Sequence, residues 1–447
     1  MATATFKFLH FANLKDIPNW SVQYADEEDL GFTKRFPMAR IRSFLTRRKE
    51  SIDIQDGVIY KRVTVSTKGG NISIRDEKDG KNIGTKKQFL IHEGQFLLSK
   101  IDARNGAFGV VPAIAEKAII TGNFWTFDVD YSKINPQFLT LITKSKEFLS
   151  FAEKSSNGTT NRHYLQEKAF LNQQIPLPSI EEQKKILNQY NEHIKQASDK
   201  QEDILSLSQK SHKVITDLLG IKQKEAEANE SLLQFIRLKD TTTRWDAFAE
   251  TFSIESKYHI YSLGKYIVQI STGTTPPTTH PEYFDGDVKF FTPADLGNDK
   301  YLTCSSRTIT DLAITDKKAR VFHRGDILFV GIGSTVGKVG IVEDEFVSSN
   351  QQITGFTIDS SKINPEYVYY YLNYNRDIAT AAQSKTTLPI VNQDKIRKIP
   401  IVVPPIEIQN QIVLTLDKMY ITAKQNEKEI PLLKEKAFSS FEHIIFD

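Results

Sequence analysis

Cysteine is nearly absent from this 447-residue chain, where Cys304 stands alone. A single thiol excludes an internal disulfide, cannot build a zinc site, and suits a reducing cytoplasm. Long apolar runs are missing as well. No stretch approaches the length of a membrane span, and the opening Met1-Ala-Thr-Ala-Thr-Phe-Lys7 has no apolar core of a signal peptide. A cytoplasmic protein without a membrane role is expected. Charge of one sign is not in excess: 58 Lys and Arg stand against 55 Asp and Glu, for a net +3. That balance permits nucleic-acid binding without announcing it, because the clustering of charge is what counts. The nine histidines are scattered without metal-ligand spacing. What is present, 39% hydrophobic and 25% charged residues, is the mixture of an ordinary globular protein, long enough for two or three domains.

The strongest positive signal is internal repetition. Ile175-Pro-Leu-Pro178-Ser-Ile-Glu181-Glu-Gln183-Lys-Lys-Ile186 shares the pattern Pro-x-Ile-Glu-x-Gln-x-x-Ile with Ile401-Val-Val-Pro404-Pro-Ile-Glu407-Ile-Gln409-Asn-Gln-Ile412, displaced by 226 residues. In each copy an apolar run ends at proline and a long helix is expected to begin, since proline before a helix or in its first turn loses no bond. Ser179 with Glu182 fits a capping box. Heptad spacing follows. Leu187, Tyr190, Ile194, Ala197, Ile204, Ile215 and Leu218 fall on core positions, with Gln201, Ser208 and Ser211 as polar interruptions. The same displacement lands on Val413, Leu416, Tyr420, Ala423, Ile430, Phe441 and Ile444, with Glu427, Lys434 and Ala437 at the interruptions. Two helices of about 40 residues, or about 60 Å, with seams in one register predict a paired, antiparallel coiled-coil-like spacer. Pro431 should kink the second locally.

The repetition extends outward. Leu14-Lys-Asp16 with Trp20 matches Leu238-Lys-Asp240 with Trp245; His92-Glu-Gly94 matches His323-Arg-Gly325; Gly106 and Gly109 match Gly337 and Gly340. Ser132-Lys-Ile-Asn-Pro136 recurs as Ser361-Lys-Ile-Asn-Pro365, and Thr159-Thr160 aligns with Thr386-Thr387. The chain is a tandem of two units of about 220 residues, each a globular domain followed by a long helix. Short apolar strands are expected at 58–65, 89–91, 96–98 and 124–129, then at 288–291, 326–330, 339–342 and 355–358, with helices near 137–152 and 366–382. The fold class is therefore α+β: two mostly-β domains, at 1–174 and 222–400 (the latter entered by a polar linker at 222–231), alternating with long helices at 175–221 and 401–447.

Fragments that imitate catalytic motifs fail on inspection. In Gly331-Ile-Gly333-Ser-Thr-Val-Gly337-Lys338 the phosphate-loop rule requires glycine where Ile332 stands and Ser or Thr where Val339 stands; a dinucleotide fingerprint would need glycine at Val336. The carboxylates Glu282 and Asp287 with Lys289 are compressed into a turn and have no counterpart in the first unit. The only Pro-Pro pairs follow Thr275 and Val403, not the Asn or Asp of a base methyltransferase. A non-catalytic binding protein remains.

Basic residues cluster at Arg35, Arg40, Arg42, Arg47, Arg48 and Lys49, continue through Lys61, Arg62, Lys68, Arg75, Lys86, Lys87, Lys100 and Arg104, and reappear at Lys317, Lys318, Arg320, Arg324 and Lys338. Short polar side chains are interleaved, among them Asn157 and Asn161. Arg to guanine and Asn or Gln to adenine are the pairings that major-groove geometry rewards, while lysines position the protein on phosphates. The candidate DNA-binding set is Lys68, Asn71, Lys100, Arg104, Asn105, Asn123, Thr159, Thr160 and Arg162 in the first unit. In the second it is Thr274, Thr275, Ser334, Thr335, Lys338, Asn350, Gln351, Gln352, Lys385, Thr386 and Thr387. For any one of them, a solvated turn residue is the alternative.

Gly273-Thr-Thr-Pro276…Pro281-Glu-Tyr283…Phe291-Thr-Pro-Ala-Asp-Leu296, Arg324-Gly-Asp-Ile-Leu328, Ser349-Asn-Gln-Gln-Ile353 and Pro404-Pro-Ile-Glu-x-Gln409 together resemble a target recognition domain of type I restriction–modification specificity subunits. The second half matches closely. The first half lacks the Gly-Thr-Thr-Pro opening, and its assignment leans on the repeat and on Pro178-Ser-Ile-Glu-Glu-Gln183. The resemblance implies two recognition domains that each read one half of a split, asymmetric double-stranded DNA target, with the helix pair setting the gap. It implies two modification (methyltransferase) subunits and restriction (translocase and nuclease) subunits docking on the helix pair. Leu187, Tyr190, Ile194, Ile204, Val413, Leu416, Tyr420 and Ile430 are the candidate subunit-interface residues. This chain would hold no cofactor or metal, whereas its partners would use S-adenosylmethionine, ATP and Mg²⁺. A protein-binding scaffold of duplicated β-rich modules on a helical stalk is the alternative, and an enzyme acting alone on DNA is a third reading.

Overall fold

The protein is seen here as a computed structural model that describes residues 32, 33, 35–67, 71–157, 164–225, 252–380 and 389–447. Two compact units result. Unit 1 gathers Met1–Lys200 with Lys428–Asp447, and unit 2 gathers Gln201–Glu427. The long helices Ile180–Leu219 and Ile406–Phe446 therefore each contribute residues to both units. Among the described residues, no helix is long and apolar enough to cross a membrane.

Unit 1 is built on a four-stranded antiparallel sheet in the order Leu45–Arg48, Phe124–Val129, Phe96–Ser99, Phe108–Val110. Every residue of Phe96–Ser99 is buried, as expected of a continuous apolar run in a central strand. A second sheet runs Ser51–Asp53, Lys87–Leu90, Ile119–Ile120, Ile59–Val65, Ile72–Asp79. Phe96, Phe108, Phe127, Phe138, Phe148 and Phe170 are fully buried in one core; the rings of Phe96, Phe108, Phe127, Phe148 and Phe170 meet with centroids 5.6 to 6.5 Å apart, and Phe138 meets Phe441 at 5.7 Å.

Unit 2 repeats the first sheet with an extra edge: Ile267–Thr272, Ile353–Ile358, Ile327–Val330, Val339–Val342, Tyr301–Leu302. Its second sheet differs, with four strands in the order Arg307–Ile309, Phe284–Phe291, Phe346–Ser349, Val321–His323. In each unit an entry strand pairs antiparallel with the strand leading into a long helix: Met38–Arg40 with Gln174–Pro176, and Ile260–Ser262 with Pro400–Val402. Part of the expected linker is ordered pairing, since Lys222–Glu225 lies antiparallel to Phe252–Glu255.

The repeated letters build one mount twice. Asp130 accepts from the Ser132 backbone and hydroxyl and pairs with Lys133 at 2.8 Å; Asp359 does the same with Ser361 and, at 2.7 Å, with Lys362. The lysine bridges, followed by the serine bonds, hold both carboxyls down to about 2. Asn135 and Asn364 then cap the helices Pro136–Lys144 and Pro365–Tyr374, each with proline in the first turn. The glutamine of the Pro-x-Ile-Glu-x-Gln pattern is buried in each unit and fastens this turn to the long helix. Gln183 accepts from Asn135 N at 2.8 Å and donates to the Lys133 and Pro178 carbonyls at 2.9 Å each. Gln409 accepts from Asn364 N and donates to the Pro404 carbonyl, both at 2.9 Å. Beyond these capping turns, the helical stretches each divide in two, at Ser145 and at Asn375. Ser145 caps the following helix through Phe148 N.

The long helices pair antiparallel within each unit, as the seam predicts. In unit 1, Ile186 and Leu187 share a core with Phe441 and Ile445, and further along Lys200 Nζ meets Glu429 at 2.7 Å. In unit 2, Ser211 Oγ donates to Met419 Sδ at 3.3 Å, while Ile215 and Leu219 share a core with Ile412, Val413 and Leu416. The seam shifts by one residue mid-way along the second helix. Asn426 is buried where Glu427 was expected, and Leu433 is half-buried while Lys434 is exposed. The helix runs unbroken through Pro431, which lies on an exposed face, so water can satisfy the Glu427 carbonyl that proline cannot. The capping box forms half-way: Glu182 N donates to Ser179 Oγ at 3.2 Å.

Candidate nucleic-acid interface

In unit 1, the strand Phe96–Ser99 delivers a loop whose 3₁₀ turn, Ala103–Asn105, closes on Gly106 at φ +85°. Asn105 is exposed and Arg104 half-buried, with no ion pair among the described residues. Lys100 N donates to the Asn123 carbonyl, and Lys100 O accepts from Leu165 N, so Lys100 and Asn123 sit side by side at one end of the sheet. Lys100 Nζ lies 5.4 Å from the centre of the Tyr164 ring. The tip of the hairpin Ile59–Val65/Ile72–Asp79 reaches the same place: a Cβ on Gly106 would stand 3.0 Å from the Thr67 carbonyl, and Ser66 N bonds the carbonyl of exposed Asn71. The structure thus brings Asn71, Lys100, Arg104, Asn105 and Asn123 to one end of unit 1. Lys68, Thr159, Thr160, Asn161 and Arg162 lie outside the described residues, as does the Leu14–Trp20 repeat with its counterpart.

In unit 2 an open groove of about 500 Å³ is lined by Thr292, Pro293, Ala294, Ser306, Arg307, Ile332, Gly333, Ser334, Thr335, Asn350 and Gln352. Ser334, Thr335, Asn350 and Gln352 had been expected from sequence; Thr292, Ser306 and Arg307 had not. Thr275 joins through a 2.6 Å bond from its hydroxyl to Gln351 Oε1, and Thr274 beside it is exposed. Glycine is required where the chains close up. A Cβ on Gly273 would stand 2.3 Å from the Asn350 carbonyl and from Ser349 Oγ, and one on Gly331 would stand 2.7 Å from the Val391 carbonyl. The segment Gly331–Lys338 connects two strands, with no helix after it, so it lacks the architecture of a phosphate loop. Lys338 is half-buried, its stem against Gly297, where an added Cβ would stand 2.8 Å from Lys338 Cδ. Lys385, Thr386 and Thr387 lie outside the described residues. Beneath the groove, Asp295 accepts from Thr292 N and Oγ1 at 2.7 Å and from Ser306 N at 2.9 Å. Burial pushes the Asp295 carboxyl up, and these hydrogen bonds more than offset it, holding it below its usual range.

Much of the basic run in unit 1 is committed to structure. Arg62 makes a two-pronged bond to Asp76 at 2.6 and 2.7 Å, Arg48 pairs with Glu50 at 3.1 Å, and Lys86 with Asp56 at 2.8 Å. Arg47 is half-buried against Trp125 and Phe127, with its carbonyl partner Thr126 at 2.9 Å; burial lowers its pKa. These cations brace strands, which sequence clustering alone does not distinguish from a phosphate-binding patch.

The candidate subunit-interface residues are used within the chain. Leu187, Val413 and Leu416 are buried in their units' cores, and Tyr190, Ile194, Ile204 and Ile430 are half-buried along the seam. Leu187, Val413 and Leu416 thus leave little surface for a partner subunit, since these heptad core positions are spent on the helix pair, while Tyr190, Ile194, Ile204 and Ile430 keep part of theirs. Tyr420 turns instead to a loop of unit 2, where its hydroxyl accepts from Lys300 N at 3.1 Å. Lys300, 2% exposed, bonds Asp417 of the second long helix at 2.5 Å and lies 3.4 Å from Glu366, between the rings of Tyr301 and Tyr370.

Comparison with known proteins places these features. The profile of the type I restriction modification DNA specificity domain matches residues 47–204 and 257–434, once in each half of the chain. The specificity subunit of the type I restriction enzyme MjaIX from Methanocaldococcus jannaschii is 27% identical over 191 residues, 41% of this chain and 43% of that protein. The EcoDI specificity subunit of Escherichia coli is 29% identical over 126 residues, 28% of this chain and 27% of that protein. The matched stretches thus span less than half of either relative. A solved chain from a study of complex assembly and conformational transition in the type I R-M system aligns over 92% of this chain and 98% of its own, with a TM-score of 0.56 and 16% identity, a likeness of fold. With both of its halves matched by that profile, the chain belongs to the type I restriction modification DNA specificity domain family.

Proposed function

We propose that this chain is the DNA-reading subunit of a type I restriction–modification complex, itself non-catalytic, and that it recognises an asymmetric target in two halves. The observation that carries this reading is the pairing of one mount with two different tips. Gln183 and Gln409 fasten equivalent turns to equivalent helices, while the described residues of the loops at the sheet ends differ between the units. Two readers of unlike chemistry specify two unlike half-sites. Each long helix contributes to both units, which makes the helix pair the candidate ruler for the gap between the halves. Two modification subunits and the restriction subunits would supply the chemistry with S-adenosylmethionine, ATP and Mg²⁺. Adenine methylation needs the base out of the stack, so this chain would hold register while a modification subunit flips it.

The test is selection of duplexes from a pool randomised in two blocks with variable spacing, by the chain with and without a modification subunit. Two short motifs at one fixed spacing are expected, with affinity falling steeply as salt rises. Recovery of no motif under either condition overturns the reading in favour of a protein-binding scaffold.

A further inference from the structure

Three side-chain amides, Asn350-Gln351-Gln352, stand together at the groove of unit 2, and the backbone orients Asn350 and, through it, Gln352. Gln352 N donates to Asn350 Oδ1 at 3.1 Å. A backbone N–H can only donate, so the Asn350 oxygen must face it. Asn350 Nδ2 is thereby turned toward Gln352 and donates to its Oε1 at 3.0 Å. Gln352 is left with its NH₂ group as the free end, beside Gly333, where an added Cβ would stand 3.6 Å from Nε2. Gln351 is engaged in the same sense, since its Oε1 accepts from the Thr275 hydroxyl at 2.6 Å. Each amide oxygen accepts one bond inside the protein, and no described residue accepts from the NH₂ of Gln351 or Gln352. Arg307 lines the same groove, is exposed, and has no ion pair among the described residues. Of the long side chains in this groove, Gln352 and Arg307 therefore turn donors toward it.

That constraint discriminates among bases. Reading adenine with an amide requires both its ends, the oxygen for N6–H and the NH₂ for N7; cytosine requires an acceptor for N4–H. Guanine presents two acceptors, N7 and O6, and no donor in the major groove; thymine presents one acceptor and a methyl group. We propose that unit 2 reads a guanine through Gln352 and Arg307, with Asn350 as the positioning residue that holds the Gln352 amide in its donor orientation. The expectation that Asn350 and the two glutamines pair with adenine is replaced by its opposite. This inference rests on the DNA-reading role proposed above.

The experiment is the same two-block selection, carried out with the full-length chain and with Gln352→Ala, Gln352→Glu, Arg307→Ala and Asn350→Ala. In the wild type, one half-site should contain a guanine that responds to these substitutions. Gln352→Ala and Arg307→Ala should each weaken that preference on the order of tenfold, the size of one good base contact. Gln352→Glu, which replaces the free donor by an acceptor, should move the preference to adenine or cytosine. Asn350→Ala frees the Gln352 oxygen and should relax guanine to either purine. The motif read by unit 1 should be unchanged in every variant, and the remaining bases of the unit 2 half-site should still be enriched, which shows that unit 2 folds. The inference is overturned if the responding position is not guanine in the wild type, or if two motifs are enriched and neither changes. Enrichment of no motif by the wild type removes the DNA-reading role, and the guanine assignment with it.

Discussion

In unit 1 the strand Phe96–Ser99 ends in a loop bearing Lys100, Arg104 and Asn105, met by a hairpin tip from a five-stranded second sheet. In unit 2 its counterpart Ile327–Val330 ends in Gly331–Lys338, met by Thr292, Arg307 and the amides of Asn350–Gln352 from a four-stranded second sheet. Below those loops the two are alike residue by residue: the same aspartate turn, the same asparagine cap, the same buried glutamine. The contrast teaches where constraint lies. A buried glutamine that satisfies several backbone groups admits few substitutes, whereas a solvated loop can take any side chains that keep its turn.

The comparison is tested most severely at its shared part. Gln183→Ala strands buried backbone groups and should remove about 3 kcal/mol from unit 1; Gln409→Ala should do likewise to unit 2. Hydrogen exchange resolved by unit is the measurement, and a large loss from one with none from the other would show that the mounts are not equivalent. Lys300→Met tests a buried ion pair that, among the described residues, unit 2 has and unit 1 lacks. It leaves Asp417, still bonded by the Tyr370 hydroxyl, without its cation beside Glu366, and because Asp417 is 30% exposed the expected loss is about 2 kcal/mol, below that of a fully buried pair. Faster exchange should be confined to unit 2; equal change in unit 1 would refute the assignment.

The smallest effect concerns pH and unit 1. His92 donates toward Glu116 at 2.9 Å and approaches Glu50 at 3.2 Å, and these carboxylates raise its pKa, Glu116 foremost. Glu116 and Glu50 are correspondingly lowered, the first mainly by the Glu93 backbone and the second mainly by Arg48. Protonated His92 favours folding, so its contribution is complete below the ordinary histidine value, about 6.5, and is lost as pH rises through the raised one. The carboxylates contribute above their ordinary values and lose that contribution as pH falls. Unit 1 should therefore soften slightly relative to unit 2 as pH rises from the ordinary histidine value through the raised one. A His92→Gln variant should abolish the difference, and persistence of the slope in it would assign the effect elsewhere. Toward acid Asp130 and Asp359, held alike to about 2, should weaken their units alike.

The duplication, the helix seam and the strands at 124–129 and 339–342 were legible in the sequence because they depend on local pattern: matched letters, apolar spacing, turn residues. The function of Gln183 was not legible, since its partners Lys133 and Asn135 are about 50 positions away and only the fold brings them together. The same holds at the candidate site. Ser334, Thr335, Asn350 and Gln352 were found by residue type, but Arg307 entered only through the strand pairing of Arg307–Ile309 with Phe284–Phe291. Its one advance signal was Thr292-Pro-Ala-Asp295, whose aspartate gathers the groove wall. Arg47 and Arg62 misled for the complementary reason: charge clustering says nothing of the carboxylates and rings that engage it.

One feature of the core bears on how such a chain is made. Ala437, Phe441 and Ile445, from the last stretch of the second long helix, are buried, and two of them close the cluster around Phe138 and Leu187; Phe446 stacks on Phe32 at 4.9 Å. A ribosome adding about 5–20 residues per second reaches them only after the whole of unit 2 has been synthesised. Until then the earliest-made half stands with an uncovered greasy flank, and chaperones that grip such flanks have a waiting interval in which to act.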